Sequence, residues 1–321
     1  MPHIADAERL RVPALRIGRH IEGISAVLLP YTDAGAIDWD AYGRLLERTW
    51  TAGLTPAVNM DTGYVNLLTA DERSRVLAAA SDAAKGRGFV AGAYIEDAAG
   101  DPAALYGRAI EAIRTRGGTP ILFQCSTLAP LDEHAVLEVY RQVASAGGPL
   151  LAFELGSMFA PFGRIYSADF FERLLDVPAF VGLKHSSLDR GLEWRRVAIR
   201  DRRRPDFRVY TGNDLAIDMV FYGSDYLLGL SAFFVEAFSA RDRLWQAGDA
   251  RAFQLNDLLQ YLGFLAFRDP VPAYKHSAAQ FLRARGLLAS DRPHPRCPRR
   301  PDSDRALLED VARRIDAVLG A

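Results

Sequence analysis

The stretch Phe180-Val181-Gly182-Leu183-Lys184-His185-Ser186-Ser187 sets a lysine inside an apolar run of strand length. Only three lysines occur in the chain, Lys85, Lys184 and Lys275, with arginine taking lysine's place almost everywhere else. An ammonium on such a strand is costly unless it is paired or gives up its proton. A deprotonated lysine is an amine nucleophile able to form a Schiff base with a carbonyl substrate. Lys184 therefore reads either as a catalytic amine or as a paired structural lysine.

Outward from this stretch the chain alternates short apolar runs with longer amphipathic ones. Strands are expected at Gly23–Pro30, Pro56–Met60, Phe89–Ile95, Pro120–Gln124, Pro149–Glu154, Phe180–His185, Arg208–Gly212 and Tyr226–Ser231. Helical patterns follow capping residues: Trp39–Ala52 after Asp38, Ala70–Ala84 after Thr69, and Ala168–Leu175 after Ser167. Asp101–Arg116, with Pro102 in its first turn, and Leu131–Ser145 obey the same logic. Eight strands alternating with helices predict an α/β fold, a (β/α)8 TIM barrel. A doubly wound sheet would carry a glycine fingerprint after its first strand, and Leu28-Leu29-Pro30-Tyr31 has none. The barrel with its N-terminal lead-in is assigned to residues 1–248 and a C-terminal helical extension to 249–321. Within the extension, helices are expected at Arg251–Phe267, Val271–Arg285 and Ser303–Leu319, with an ordered surface loop or linker over Ser290–Asp302.

Composition narrows the function classes. The hydrophobic fraction is 49% and the charged fraction 25%, as in an ordinary globular protein. Lys+Arg 39 against Asp+Glu 40 gives a net charge of -1, so no global field draws in nucleic acid or an anionic membrane. Arg202-Arg203-Arg204 and Arg299-Arg300 read as solvated faces without interleaved aromatics. No apolar run approaches the roughly twenty residues of a membrane span. Met1-Pro2-His3-Ile4-Ala5-Asp6 lacks the organisation of a signal peptide. Cys125 and Cys297 are too few and too far apart for a disulfide framework or a zinc site, so no metal is expected. Together these point to a cytoplasmic enzyme.

In a TIM barrel the active site lies at the C-terminal ends of the strands. Lys184 falls near the end of the sixth. Asn59-Met60-Asp61-Thr62-Gly63-Tyr64 closes the second, where Thr62 and Gly63 offer a hydroxyl and backbone N–H groups to a substrate carboxylate, or else form a capped turn. Tyr94 ends the third strand, Gln124 and Cys125 the fourth, and Phe153 and Glu154 the fifth. Thr211-Gly212-Asn213-Asp214 ends the seventh, and Gly212 would let a substrate approach the backbone.

These motifs together resemble the dihydrodipicolinate synthase/N-acetylneuraminate lyase family. Val181-Gly182-Leu183-Lys184, preceded by Asp176-Val177-Pro178 and followed by Ser186-Ser187, is similar to its Schiff-base strand. Asp33–Asp38 resembles its first turn. Asp61-Thr62-Gly63-Tyr64 with Leu68-Thr69-Ala70-Asp71-Glu72-Arg73 resembles its Gly-Thr-Thr-Gly-Glu…Leu-Thr-x-Glu-Glu-Arg signature. Thr211–Asp214 and Gly223-Ser224-Asp225 resemble two later turns. The resemblance implies a TIM barrel with a helical extension, a homo-oligomer (tetramer or dimer), and an imine between lysine and pyruvate or another small 2-oxo acid. Carbon–carbon bond making or breaking, or dehydration, would follow.

The departures are equally informative. The family's relay tyrosine on the fifth strand is replaced by Phe153, in Ala152-Phe153-Glu154-Leu155-Gly156, and phenylalanine cannot carry a proton. The first threonine of the Thr-Thr-Gly motif becomes Asp61, and Cys125-Ser126-Thr127-Leu128 replaces Thr-Pro-Tyr-Tyr. Dihydrodipicolinate synthase activity itself is therefore not expected. Arg164 is the nearest candidate for the family's arginine that binds the second substrate's carboxylate. Asp61 stands at the position of the relay hydroxyl, as general acid or base or as an ion-pair partner of Lys184. Tyr94 is the second relay candidate, or else an aromatic packed under the rim. Glu154 and His185 should face away from Phe153 and Lys184 by strand alternation, which makes His185 structural. The leading expectation is a class I lyase of the aldolase or dehydratase type, with Lys184 as nucleophile and no cofactor. The alternative is a catalytically impaired barrel that senses or scaffolds a 2-oxo acid.

Overall fold

In a computed structural model that describes residues 12–320, the eight apolar runs become eight parallel strands. They are β1 (Gly23–Ala26), β2 (Thr55–Val58), β3 (Phe89–Ala93), β4 (Gly118–Leu122), β5 (Leu150–Leu155), β6 (Phe180–Ser186), β7 (Arg208–Thr211) and β8 (Asp225–Leu228). Each strand pairs with its sequence neighbours, and β1 closes on β8, giving the expected (β/α)8 TIM barrel. Inward side chains such as Ile24, Ala57, Val90, Ile121, Leu151 and Leu227 fill the barrel with an apolar plug. A larger apolar layer lies between strands and helices. The expected N-terminal lead-in and the Met1–Asp6 reading fall largely or wholly outside the described residues.

Side-chain caps start most of the surrounding helices. Asp38 accepts the Ala41 N–H ahead of α1 (Trp39–Thr51), and Thr69 forms a reciprocal box with Glu72 on α2 (Ala70–Ala84). Asp101 caps α3 (Pro102–Arg114), Asp132 caps α4 (Glu133–Ala144) and Ser167 caps α5 (Ala168–Leu175). Each such cap is worth about 1 kcal/mol. Asp189 then caps α6 (Arg190–Arg203), and α7 (Val235–Gln246) follows β8. Between β7 and β8 the crossover is a 3-10 stretch, Ile217–Tyr222, rather than an α-helix.

Alternation along β5 and β6 decides what faces the interior. Phe153 lies opposite Lys184 and points inward; Glu154 lies opposite His185 and points outward. The outward pair is buried under α6, where Arg196 donates to Glu154 from Nη2 (2.6 Å) and Nε (3.1 Å), and the Tyr166 N–H adds a third donor residue (3.0 Å). Burial alone would raise the Glu154 carboxyl, but His185 and Arg196 hold it down to about 2. His185 Nε2 meets the Ser187 hydroxyl at 3.0 Å.

Three more helices follow: α8 (Arg251–Ala266), α9 (Tyr274–Ala284) and α10 (Asp304–Leu319). The expected Val271–Arg285 helix begins with a 3-10 turn at Val271–Ala273, because Pro270 and Pro272 cannot donate to a helical ladder. The Ser290–Asp302 segment is irregular but not merely a surface loop, since Ser290, Asp291, His294 and Cys297 are buried. The reading of Arg299-Arg300 as a solvated face is half wrong. Arg300 is buried and donates to the carbonyls of Ala266 (2.9 Å) and Asp269 (2.8 Å), satisfying the end of α8. Among the described residues no helix is long and apolar enough to cross a membrane.

Candidate active site

At the C-terminal ends of the strands lies a narrow cavity of about 20 Å³. Asp61, Thr62, Phe153, Lys184, Gly212 and Asp214 line it, together with Tyr274. Lys184 is half-buried, with Nζ 4.4 Å from the centroid of the Phe153 ring. Burial lowers its ammonium to about 8, against the opposing pull of the Asp214 and Asp61 carboxylates. Gly212 leaves room for this approach. A Cβ there would stand 2.1 Å from Ser186 Oγ and 2.7 Å from Lys184 Cε.

Asp61 and Thr62 sit in a 3-10 turn after β2. The Asp61 carboxylate is paired with Lys275, whose Nζ lies 3.0 Å from both of its oxygens, and not with Lys184 as one reading of the sequence had it. Burial alone would raise the Asp61 carboxyl, but Lys275 and the Tyr274 hydroxyl hold it below its ordinary value. Asp214 follows the opposite rule. Burial pushes it up to about 7, although its Oδ1 accepts the Leu230 N–H at 2.7 Å and Lys184 favours its charged form.

The cavity gathers five of the residues selected from sequence, Lys184, Asp61, Thr62, Phe153 and Gly212, and leaves three outside its lining. The Gly63 N–H is spent on the Met60 carbonyl (3.0 Å). Tyr94 packs edge-on against Phe123 beneath the Arg73 guanidinium, and burial pushes its hydroxyl up to about 12. Arg164 points its guanidinium at the Leu131 carbonyl (2.9 Å) and stacks toward Tyr166.

Sequence reasoning did not place Asp214, Tyr274 or Lys275 in the site. Asp214 stood in the quoted Thr211–Asp214 turn, and Lys275 in the lysine count. Tyr274 carried no spacing signal, because the first turn of α9 delivers it from far along the chain. Its hydroxyl lies 2.8 Å from Asp61 Oδ2 and 2.9 Å from Thr62 Oγ1.

No curated protein matches the chain in sequence. Solved structures match it in fold. A crystal structure of YagE, a prophage protein of the dihydrodipicolinic acid synthase family from E. coli K12 in complex with pyruvate, superposes with a TM-score of 0.81 at 16% identity, covering 92% of this chain and 98% of that one. Dihydrodipicolinate synthase from Thermotoga maritima gives a TM-score of 0.78 at 16% identity, covering 92% and 99%. The chloride-inhibited enzyme from Acinetobacter baumannii, complexed with pyruvate, gives 0.75 at 20%, again covering 92% and 99%. The resemblance read from the motifs thus holds at the level of the fold. The family described as "Protein of unknown function (DUF993)" matches residues 25–285, from β1 to the end of α9, and the chain belongs to that family.

Proposed function

We propose that this protein is a class I lyase in which Lys184 forms a Schiff base with a small 2-oxo acid, for aldol cleavage or condensation or for dehydration. The observation that carries the reading is a lowered lysine on the wall of a cavity at the barrel mouth. With its ammonium at about 8, about a tenth of the amine is neutral at pH 7, against a few parts in ten thousand for an ordinary lysine. The pyruvate-bound structures of the same fold support a 2-oxo acid as ligand.

The amine adds to the carbonyl carbon of the 2-oxo acid, and loss of water leaves an iminium that acts as electron sink. Asp61 and Asp214 on the cavity wall stabilise its positive charge. Thr62, on the cavity wall, would receive the substrate carboxylate, and Phe153 gives the lysine an apolar floor. Arg164 and Tyr94 are left without a chemical part, since both face other partners. In this proposal the catalytic unit is the barrel, residues 1–248, completed by the extension, 249–321, acting in the cytoplasm as a homo-oligomer.

Borohydride reduction in the presence of pyruvate, read by intact mass and peptide mapping, tests the reading. A reduced adduct on Lys184, absent from Lys184→Ala, is the expected result. Folded protein that binds a 2-oxo acid yet yields no adduct would favour the sensor, the second reading, for which Phe153 in place of a phenol is the supporting observation.

A further inference from the structure

Phe153 leaves the fifth strand without a proton carrier, yet a phenol does reach the cavity from another element. Tyr274 opens α9 with its ring stacked on Phe267 (centroids 4.3 Å apart, planes at 15°) and is 2% exposed. Gly229 makes room for it: a Cβ there would stand 3.1 Å from Tyr274 Cε2 and 2.9 Å from Thr62 Oγ1. The ring is therefore held in one place, with its hydroxyl on the cavity wall.

Donor and acceptor counting fixes the direction of its hydrogen bonds. An ionised Asp61 only accepts, so the Tyr274 hydroxyl donates to Asp61 Oδ2. A phenol has a single hydrogen, so Thr62 must donate to Tyr274. Lys275 donates to both Asp61 oxygens. The wire runs from Thr62 through Tyr274 to Asp61, anchored by Lys275. A substrate carboxylate beside Thr62 would take over the threonine's hydrogen and free a lone pair on the Tyr274 oxygen.

We propose that Tyr274 is the catalytic proton-transfer residue of this barrel, exchanging a proton between the Lys184-bound substrate and Asp61. The inference rests on the Schiff-base reading of Lys184. In cleavage, the substrate hydroxyl passes its proton to the Tyr274 oxygen while the Tyr274 proton moves to Asp61. The carbon–carbon bond breaks, an aldehyde forms, and the electron pair enters the iminium as an enamine. Asp61 then returns the proton to Tyr274, and Tyr274 delivers one to the enamine carbon, so the cycle is proton-neutral. The phenol relays in concert and does not need to exist as phenolate. Lys275 is a positioning residue, because it holds the carboxylate ionised and in line.

The test needs no knowledge of the second reactant. Pyruvate bound as the iminium exchanges its methyl hydrogens with solvent by the same relay, so wild type and Tyr274→Phe are incubated with pyruvate in D2O and followed by NMR. Portions are trapped with borohydride. We expect the Lys184 adduct in both proteins and methyl exchange slowed about 100-fold or more in Tyr274→Phe, the usual size of a general acid–base contribution. Equal exchange in the two proteins, or an adduct without exchange in wild type, would overturn the relay while leaving the Schiff base intact. Absence of the adduct from wild type would overturn both. Should Tyr274→Phe not fold, 2,3-difluorotyrosine at position 274 keeps the shape and lowers the phenol's basicity. The pH profile of exchange must then move, and an unmoved profile overturns the proposal.

Discussion

Lys275, not Lys184, holds the Asp61 carboxylate, with Nζ 3.0 Å from both oxygens. The lysine on β6 therefore keeps an ammonium lowered to about 8, and Asp61 and Asp214 only partly offset its burial. Adduct formation with pyruvate should climb about tenfold per pH unit below 8 and level off above it, because only the neutral amine attacks. Trapping rates from pH 6 to 9.5 check this, and a flat profile would contradict it. Lys275→Met removes the cation from Asp61 and turns that charge toward Lys184. The profile should move to higher pH, and breaking this part-buried pair should lower stability in denaturant unfolding.

Gly212 leaves no free room for a methyl group at the exit of β7 unless the side chains of Ser186 and Lys184 shift. Its Cβ would overlap Ser186 Oγ at 2.1 Å and press Lys184 Cε at 2.7 Å. Gly212→Ala should abolish the pyruvate adduct while the circular dichroism spectrum stays that of a folded barrel. Trapping at the wild-type rate would show that the lysine reaches substrate from elsewhere.

Glu154 faces the other side of the same strands and should separate stability from chemistry. Its carboxyl is held down to about 2, below an unfolded value near 4.5, so its contribution is fully present above pH 4.5 and is lost as pH falls through 2. That contribution is about 3 kcal/mol. Glu154→Gln leaves Arg196 buried beside a neutral amide, which should lower stability at pH 7 by about 3 kcal/mol or more. The penalty should shrink toward pH 2. The adduct on Lys184 should still form, since Glu154 touches no part of the cavity. Unfolding at pH 3, 5 and 7 checks the first claim, and borohydride trapping the second.

Strand alternation made half of the site readable. Period two places Phe153 and Lys184 inside and Glu154 and His185 outside, so the sequence alone could sort the strand residues by face. Turn chemistry did the same for Asp61 and Gly212. What stayed hidden depends on how α9 docks. Nothing in Ala273-Tyr274-Lys275-His276 distinguishes a helix start in the extension from a segment that enters the barrel mouth. Choosing Lys275 over Lys184 as the partner of Asp61 likewise needed the docked position of α9. Arg300 was misread because a charged run looks the same in sequence whether it meets water or the carbonyls at the end of α8. The helix after β6 was left unbounded because its many arginines drown the apolar period.

Asp214 offers a test whose sign is opposite to that of Glu154. Burial raises its carboxyl from 3.8 to about 7, so between those values the folded protein keeps a proton that the unfolded chain releases. The folded state then binds more protons, and stability falls as pH rises through that window. Asparagine has no proton to lose and can still accept the Leu230 N–H that Asp214 Oδ1 accepts at 2.7 Å. The Tm of Asp214→Asn relative to wild type should therefore move in the variant's favour from pH 4 to pH 7 and change little below pH 4. Lys184 would also lose a carboxylate that favours its ammonium, so the trapping profile of the variant should shift to lower pH. A constant Tm difference from pH 4 to 7 would mean that Asp214 is already ionised there, and the protein would then hold two full negative charges around the amine of Lys184.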